Sequence, residues 1–188
     1  MNKTDIDILS EMIKISARVT LENHYDKKKV TLTEPQCPGT SVIIANIPEE
    51  TVVIKVDAFK SPDSIFKGSH GECKRADYAI ITCKDEKQVI IHIEMKRTKD
   101  DAKTITQQLS GSKCFLVYCH EIGKSFWNKR GFLQDFQQRF VSIGHISVPK
   151  KKTRLERPSG IHDSPDKMLK IDWPGKSIQF NLIAGISG

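Results

Sequence analysis

The amino-acid sequence predicts an α/β fold in which helices flank a mixed central β-sheet. Three features of the chain lead to this class. Apolar residues near the N-terminus recur at spacings of three and four, which is typical of an amphipathic helix. Runs rich in β-branched residues follow between positions 41 and 97, and a second helical pattern comes directly after them. The chain has 188 residues, which is enough for one domain with its own core.

The composition excludes several classes of protein. With 38% hydrophobic and 28% charged residues, the chain is neither collagen-like nor broadly disordered. Its five cysteines include no CxxC pair, which argues against a disulfide scaffold and a zinc ribbon. No apolar run approaches the ~20 residues of a membrane span, so we expect a cytoplasmic protein with no membrane partner. The net charge of +7 favours a polyanionic partner, with nucleic acid first.

The first part of the chain combines a helical pattern with β-rich runs. The elements expected here are a helix from Thr4 to about Asn23, a strand at 30–33, and strands at 41–47 and 51–57. Pro48-Glu49-Glu50 separates the last two strands and predicts a hairpin turn between them.

The second part begins with another hairpin and ends in a basic tail. The elements expected here are hairpin strands at 76–83 and 88–97, a helix at 100–112, a buried strand at 115–119, a helix at 125–140 and a strand at 141–148. Residues 1–148 are therefore the predicted domain. Residues 149–188 are predicted to form a basic linker followed by a small β-hairpin around Pro174-Gly175.

The second hairpin is expected to bring two acids and a base to one face of the sheet. If Cys83 pairs with Gln88, the same antiparallel register places Asp77 opposite Glu94. Directly opposed residues have Cβ atoms ~4.5–5.5 Å apart, so two carboxylates there would repel each other. Lys96 shares the face of Glu94, because strand side chains alternate between faces.

A bound divalent cation would remove this repulsion. Carboxylate oxygens are ligands that Mg²⁺ and Mn²⁺ prefer. A lysine beside the cation can stabilise the charge that develops during phosphodiester cleavage. The alternative is a surface hairpin on which Lys96 screens two solvated acids. The apolar residues at 89–91 favour a central strand instead, where charges need a partner.

The spacing of these residues resembles a known family. Asp77 is followed, after sixteen intervening residues, by Glu94-Met95-Lys96 at the end of an apolar strand. This pattern looks like the PD-(D/E)xK, or restriction-endonuclease-like, nuclease superfamily. The resemblance covers roughly residues 4–120 and implies an αβββαβ core. The residue before Asp77 is Ala76 rather than proline, and the literal Pro62-Asp63 pair lies too far upstream for the hairpin register.

The resemblance also implies roles for individual residues. Asp77 and Glu94 would bind Mg²⁺ or Mn²⁺ together with the backbone carbonyl of Met95, and Lys96 would be catalytic. Gln108 matches a glutamine that is common on the following helix. An acid on the first helix is also common in the family. Glu22 is the candidate for that acid, with Glu11 as its alternative.

Basic residues beside the site and in the tail are candidates for contact with nucleic acid. They are Lys74, Arg75, Arg97, Lys150, Lys151 and Lys152. Lysine and arginine that neutralise phosphates raise affinity without reading sequence. The alternative for Lys74 and Arg75 is the solvated start of a strand, and for the tail a solvated linker.

The predicted function is therefore metal-dependent hydrolysis of phosphodiester bonds, with DNA preferred, in a restriction or phage-defence system. The alternative is a catalytically inactive module of the same fold that binds nucleic acid or a protein partner. A chain of this length shows no second recognition domain. We therefore expect a homodimer or a partner subunit as the route to both strands of a duplex.

Overall fold

The computed structural model describes residues 3–34, 41–84, 87–96, 101–144, 161–172 and 177–185. Within these ranges the chain forms a mixed α/β structure with two mixed sheets and a few helices. The expected α/β class with a mixed sheet is therefore confirmed. The larger sheet has five strands and the smaller sheet has four.

The larger sheet has the strand order β4-β5-β6-β7-β8. Its strands are β4 (Thr51–Lys55), β5 (Tyr78–Lys84), β6 (Lys87–Lys96), β7 (Gln137–Gly144) and β8 (Leu169–Asp172). The first three strands form an antiparallel meander, and β7 and β8 then run parallel to β6. The central position of β6, which is covered on both faces, explains the apolar run at 89–91, whereas polar residues alternate with apolar ones from Ile91 to Lys96.

The smaller sheet has the strand order β1-β2-β3-β9. Its strands are β1 (Glu22–His24), β2 (Lys27–Thr33), β3 (Ser41–Ile47) and β9 (Ile178–Gln179). β1, β2 and β3 are antiparallel, whereas β9 runs parallel to β3.

Three α-helices complete the described part of the chain. They are α1 (Asp5–Met12), α2 (Ala102–Phe126) and α3 (Phe180–Ala184). α1 begins at a capping box, in which the Thr4 side chain accepts from the Asp7 backbone and the Asp7 side chain accepts from the Thr4 backbone. Among the described residues, no helix is both long and apolar enough to cross a membrane.

The core has two layers on opposite faces of the larger sheet. Ile91, Ile93 and Met95 of β6 belong to a buried cluster that contains residues of the smaller sheet and of α3. Ile90 belongs to a second cluster, which contains residues of α1 and α2 such as Leu9. His92 and Glu94 share the face of Ile90, so they lie on the helical side of the sheet.

The first helix is shorter than predicted. It ends at Met12, whereas the apolar spacing continues to about Asn23. The later apolar residues instead lie along the edge of β4, where the Val19 N–H donates to the Val53 carbonyl at 2.9 Å and Arg18 forms a bridge to Ile54. An unpaired sheet edge offers hydrogen-bonding groups that the helix pattern cannot reveal.

The second helix is longer than predicted, and the strand expected at 115–119 is wrong. Residues 102–126 form one continuous helix. Its buried stripe contains Ile105, Leu109, Ser112, Leu116, Cys119 and Gly123. These positions keep spacings of four and three through the apolar run, and a short apolar run alone does not separate strand from helix. The helix expected at 125–140 is also wrong, because β7 already begins at Gln137.

Two predicted hairpins are wrong. β3 and β4 do not pair with each other but belong to different sheets, and Asn46 adopts a left-handed φ of 63° shortly before the chain leaves β3. At the C-terminal end, β8 pairs with β7 and β9 pairs with β3. The described parts of residues 149–188 therefore add strands to both sheets.

The close approach of α2 to the residues before β5 gives a test of this packing. Gly111→Ala should destabilise the protein, since the added Cβ would overlap the backbone carbonyl of Lys74, which cannot swing away. The overlap should outweigh the gain of about 1 kcal/mol in helix propensity and leave a net loss of about 1–3 kcal/mol. Urea unfolding measures the change.

Gly131→Ala is the matched control for this substitution. A Cβ at Gly131 has no neighbour within 4 Å, so its effect should stay within about 0.5 kcal/mol. Equal stability of Gly111→Ala and the unchanged protein would contradict the packing of α2 against residues 74–75.

Candidate metal and catalytic site

The predicted register of the second hairpin is confirmed. β5 and β6 pair with Tyr78 opposite Ile93. Continuing that register by one residue places Asp77 opposite Glu94. The two acids therefore face each other on the helical side of the sheet, at the point where β5 begins and β6 nears its end.

Backbone hydrogen bonds fix the position of Asp77. Its carbonyl accepts from the Val56 N–H at 2.8 Å, on the side of β4. Its Oδ2 accepts from the Met95 N–H at 2.7 Å, on the side of β6. The N–H and C=O of one strand residue point to the same edge, so the Met95 carbonyl is directed to the side of β6 on which Asp77 lies.

Glu94 is buried, and among the described residues only one of its two carboxylate oxygens has a partner. Its side chain is 1% exposed, and its Oε1 lies 2.8 Å from the Lys96 Nζ, whose side chain is 22% exposed. Among the described residues, the buried Oε2 of Glu94 has no hydrogen-bond partner. One oxygen of the carboxylate is thus held by a lysine, and the other is open to a cation or a water molecule.

Burial and neighbouring negative charges raise the pKa of both carboxyl groups. Burial, and then the charge of Asp77, raise the pKa of Glu94 to about 8, although Lys96 opposes the shift. Burial raises the pKa of Asp77 to about 7, while the hydrogen bond from Met95 opposes the shift and the charge of Glu34 adds to it. Both carboxyl groups therefore favour the protonated form until a positive charge replaces the proton.

Glu34 is an acid near the site that the sequence did not indicate. It is 8% exposed, and its charge raises the pKa of both Asp77 and Glu94. The preceding residue, Thr33, donates its backbone N–H to the Tyr78 hydroxyl at 3.2 Å. This contact joins the end of β2 to the start of β5. No local sequence signal predicts it, because the two residues belong to different sheets.

The structure does not bring Glu22 to this site. Glu22 opens β1, pairs with Lys29 of β2 and forms an ion pair with it at 3.2 Å. Five strand residues, or about 17 Å, separate Lys29 from Glu34. Glu11, the alternative candidate, is bonded instead to Lys3 and Trp127 on the surface.

A neutral histidine fixes α2 against β6. The His92 ring nitrogens bond to Ser112 of α2 at 2.8 Å and to Gln138 of β7 at 2.7 Å. The ring also stacks on Phe140, with centroids 4.7 Å apart. Burial lowers the pKa of His92 to about 4, so the ring is uncharged at neutral pH.

This contact places Gln108 level with Glu94. β7 is parallel to β6, so α2, which connects them, runs in the opposite direction. Gln108 lies one turn before Ser112, about 6 Å along the helix, and Glu94 lies two residues after His92, about 6.6 Å along the strand. Among the described residues, the buried Oε1 of Gln108 has no hydrogen-bond partner. A second open oxygen thus lies at the level of the acids.

The basic candidates are only partly described. Lys74 is half-buried, and its Nζ donates to Gln107 of α2 at 2.8 Å. The Arg75 guanidinium donates to the Cys73 carbonyl at 3.2 Å. Both side chains thus hold the chain that leads into β5. Arg97 and the lysines at 150–152 lie outside the described residues.

The donor atoms suit a hard divalent cation. Two carboxylates and one carbonyl are oxygen ligands, and Mg²⁺ normally keeps several water molecules in addition. Among the described residues, no three Asp, Glu, His or Cys side chains are grouped closely enough to hold a metal by themselves. A cation here would therefore rely on Asp77, Glu94 and the Met95 carbonyl, with water or phosphate as the remaining ligands.

A comparison of the chain with protein-family models gave no match, and neither did comparisons with curated proteins and with solved structures. The geometry of the site therefore carries the functional argument by itself.

The raised pKa values predict a fall in stability with rising pH in metal-free protein. The folded chain keeps protons on Asp77 and Glu94 that the unfolded chain releases near pH 4, so stability should decline from about pH 4 to about pH 8. Glu94→Gln cannot titrate and should flatten the decline. Urea midpoints measured in EDTA across this range test the prediction. Glu22→Gln should keep the wild-type slope, and a flat wild-type curve would contradict the raised pKa values of Asp77 and Glu94.

Added Mn²⁺ should stabilise the folded chain at about pH 8. A ligand that binds only the folded state raises the melting temperature with its concentration. Asp77→Asn and Glu94→Gln should each abolish most of this increase, because each removes one charged ligand. Thermal melts with and without Mn²⁺ measure it. Glu121→Gln, an exposed acid on α2, should respond like the wild type, and an equal response of all variants would place the cation elsewhere.

Proposed function

We propose that this chain is a metal-dependent nuclease of the PD-(D/E)xK type that hydrolyses phosphodiester bonds in DNA. The observation that carries the proposal is the pairing of the half-buried Asp77 with the buried Glu94, whose carboxylate is bonded to the Lys96 ammonium. A folded protein has no structural reason to keep two opposed acids under a helix. Charges of this kind on a central strand are typical of a functional site.

The order of elements supports the proposal. α1 precedes the antiparallel meander β4-β5-β6, and α2 then leads to β7, which is parallel to β6. If β1, β2 and β3 of the smaller sheet, which lie between α1 and β4, are taken as an addition, this order is compatible with the αβββαβ core that the family resemblance implies.

Each residue has a defined role in the proposed reaction. Asp77 and Glu94 would hold Mg²⁺ or Mn²⁺ together with the Met95 carbonyl, and would release their protons as the cation binds. When bound, the cation supplies Lewis-acid chemistry, which polarises the phosphate and activates water. Lys96 would stabilise the negative charge that develops on the phosphate. Gln108 would orient water through its open oxygen.

The overall charge supports nucleic acid as the substrate. A net charge of +7 attracts a polyanion, and a cation held by Asp77 and Glu94 would add to that attraction at the site. We propose a restriction or phage-defence system as the setting, with a second copy or a partner subunit to reach the other strand.

Plasmid cleavage tests the proposed activity. The protein should nick or linearise plasmid with Mg²⁺ or Mn²⁺, and EDTA should stop the reaction. Glu94→Gln and Lys96→Ala should each lower the rate by about 100-fold or more, the usual loss on removing an electrostatic stabiliser. The matched controls are Glu121→Gln and Lys124→Ala, which disrupt an exposed ion pair on α2 and should leave the rate unchanged.

Two outcomes would contradict this assignment. Cleavage that persists in Glu94→Gln would place the site elsewhere. Salt-sensitive binding of DNA without cleavage in any metal would favour the inactive binding module. One observation already supports that alternative, since the described residues contain no group of three Asp, Glu, His or Cys side chains that could hold a metal.

A further inference from the structure

The segment between β4 and β5 carries apolar side chains on its surface. Three large side chains of residues 59–75, named here the 59–75 loop, are exposed: Phe59 by 40%, Ile65 by 79% and Phe66 by 53%. Single exposed apolar residues are ordinary, but Ile65 and Phe66 are adjacent. The 59–75 loop therefore presents a small apolar patch to solvent.

The 59–75 loop is ordered by its own hydrogen bonds. The two carboxylate oxygens of Glu72 accept the backbone N–H groups of Gly68 at 2.9 Å and of His70 at 2.8 Å. The Phe66 N–H donates to the Pro62 carbonyl at 2.9 Å. The backbone that carries the exposed pair is therefore ordered, which lowers the entropy cost of binding a partner.

The 59–75 loop is also fixed next to the candidate site. The Gln107 Nε2 of α2 donates to the His70 carbonyl at 2.8 Å, and the Cys73 Sγ lies 3.6 Å from the Phe66 carbonyl oxygen. Cys73 is four residues before Asp77. The backbone of Phe66 thus lies within roughly 20 Å of Asp77, the length of about six base pairs.

The net positive charge of the 59–75 loop favours a polyanionic partner. Its four basic residues, Lys60, Lys67, Lys74 and Arg75, outnumber its two acidic residues, Asp63 and Glu72. Aromatic faces between basic residues suit the bases and phosphates of a nucleic-acid strand. A twofold contact formed by this loop would instead bring together two surfaces of like net charge.

We propose that the 59–75 loop binds a single-stranded segment of the nucleic-acid substrate, with Phe66 stacking on a base and Lys67 contacting a phosphate. This inference rests on the proposed function, since it assumes that the site acts on nucleic acid. It adds a contact outside the metal site that positions the strand. Stacking of this kind tolerates any base and therefore adds affinity rather than sequence preference.

Binding of a fluorescent mixed-sequence DNA oligonucleotide, measured by anisotropy in EDTA, tests the proposal. Phe66→Ala should weaken binding at least about five-fold, as loss of one stacked base does, with the salt dependence unchanged. Phe66→Trp should retain binding. Lys67→Ala should reduce the salt slope by about 0.7, the contribution of one phosphate contact on a single strand. The matched control is Phe126→Ala, an exposed phenylalanine (78%) at the far end of α2, which should bind like the wild type.

The proposal is overturned if the oligonucleotide does not bind, if Phe66→Ala binds as tightly as the wild type, or if Phe126→Ala weakens binding equally. A dimer that Phe66→Ala dissociates, with oligonucleotide binding unchanged, would overturn it in favour of contact between two copies. EDTA separates this test from cleavage. If Phe66→Ala weakens binding but the wild-type protein does not cleave DNA, the loop contact is supported and the proposed nuclease activity is wrong. If the protein cleaves DNA and Phe66→Ala changes neither cleavage nor binding, the nuclease activity is supported and the loop contact is wrong.

Discussion

The burial of Glu94 on a strand that is covered on both faces is the constraint on which the rest of the site depends. β6 lies at the centre of its sheet, with the smaller sheet and α3 on one face and α1 and α2 on the other. A carboxylate in this position cannot reach bulk water, and Asp77 directly opposite increases the cost of ionising it. Lys96 offsets only part of that cost, and Glu34 adds to it. The arrangement is unfavourable for an isolated fold and favourable for a protein that takes up a cation.

Hydrogen bonds between polar residues near the acids allow α2 to pack on β6. α2 must cross a face of β6 that carries His92 and Glu94 among apolar neighbours, and buried polar groups are costly unless they are hydrogen-bonded. His92 meets this requirement because both ring nitrogens have partners on the flanking elements. The bond to Ser112 also fixes the position of α2 along the strand, which brings Gln108 level with Glu94. The hydrogen bond between His92 and Ser112, which the fold needs to bury a polar ring, thus also sets the position of Gln108 relative to Glu94.

The chain that leads into β5 couples the site to the surface. Lys74 and His70 both bond to Gln107, and the absence of a side chain at Gly111 lets the helix touch the backbone of Lys74. Asp77 follows directly and is held in turn by Met95. One short segment, residues 70–77, thus contains both the part of the exposed loop that α2 holds and the acid that Met95 orients. A rigid support of this kind is what a binding or catalytic group needs in order to keep its geometry.

Features that depend on local spacing could be predicted from the sequence. The cap of α1 at Thr4, the register of β5 against β6, and the shared face of the two acids and Lys96 all follow from hydrogen-bond geometry between residues close in the chain. The remaining features depend on contacts between distant segments. The apolar run at 115–119 fits a helix or a strand equally well until its stripe meets the sheet, and β3 and β4 separate because each packs in a different layer. Glu34 joins the acids because two sheets meet there. Contacts between distant segments depend on how layers pack, and no local pattern encodes that packing.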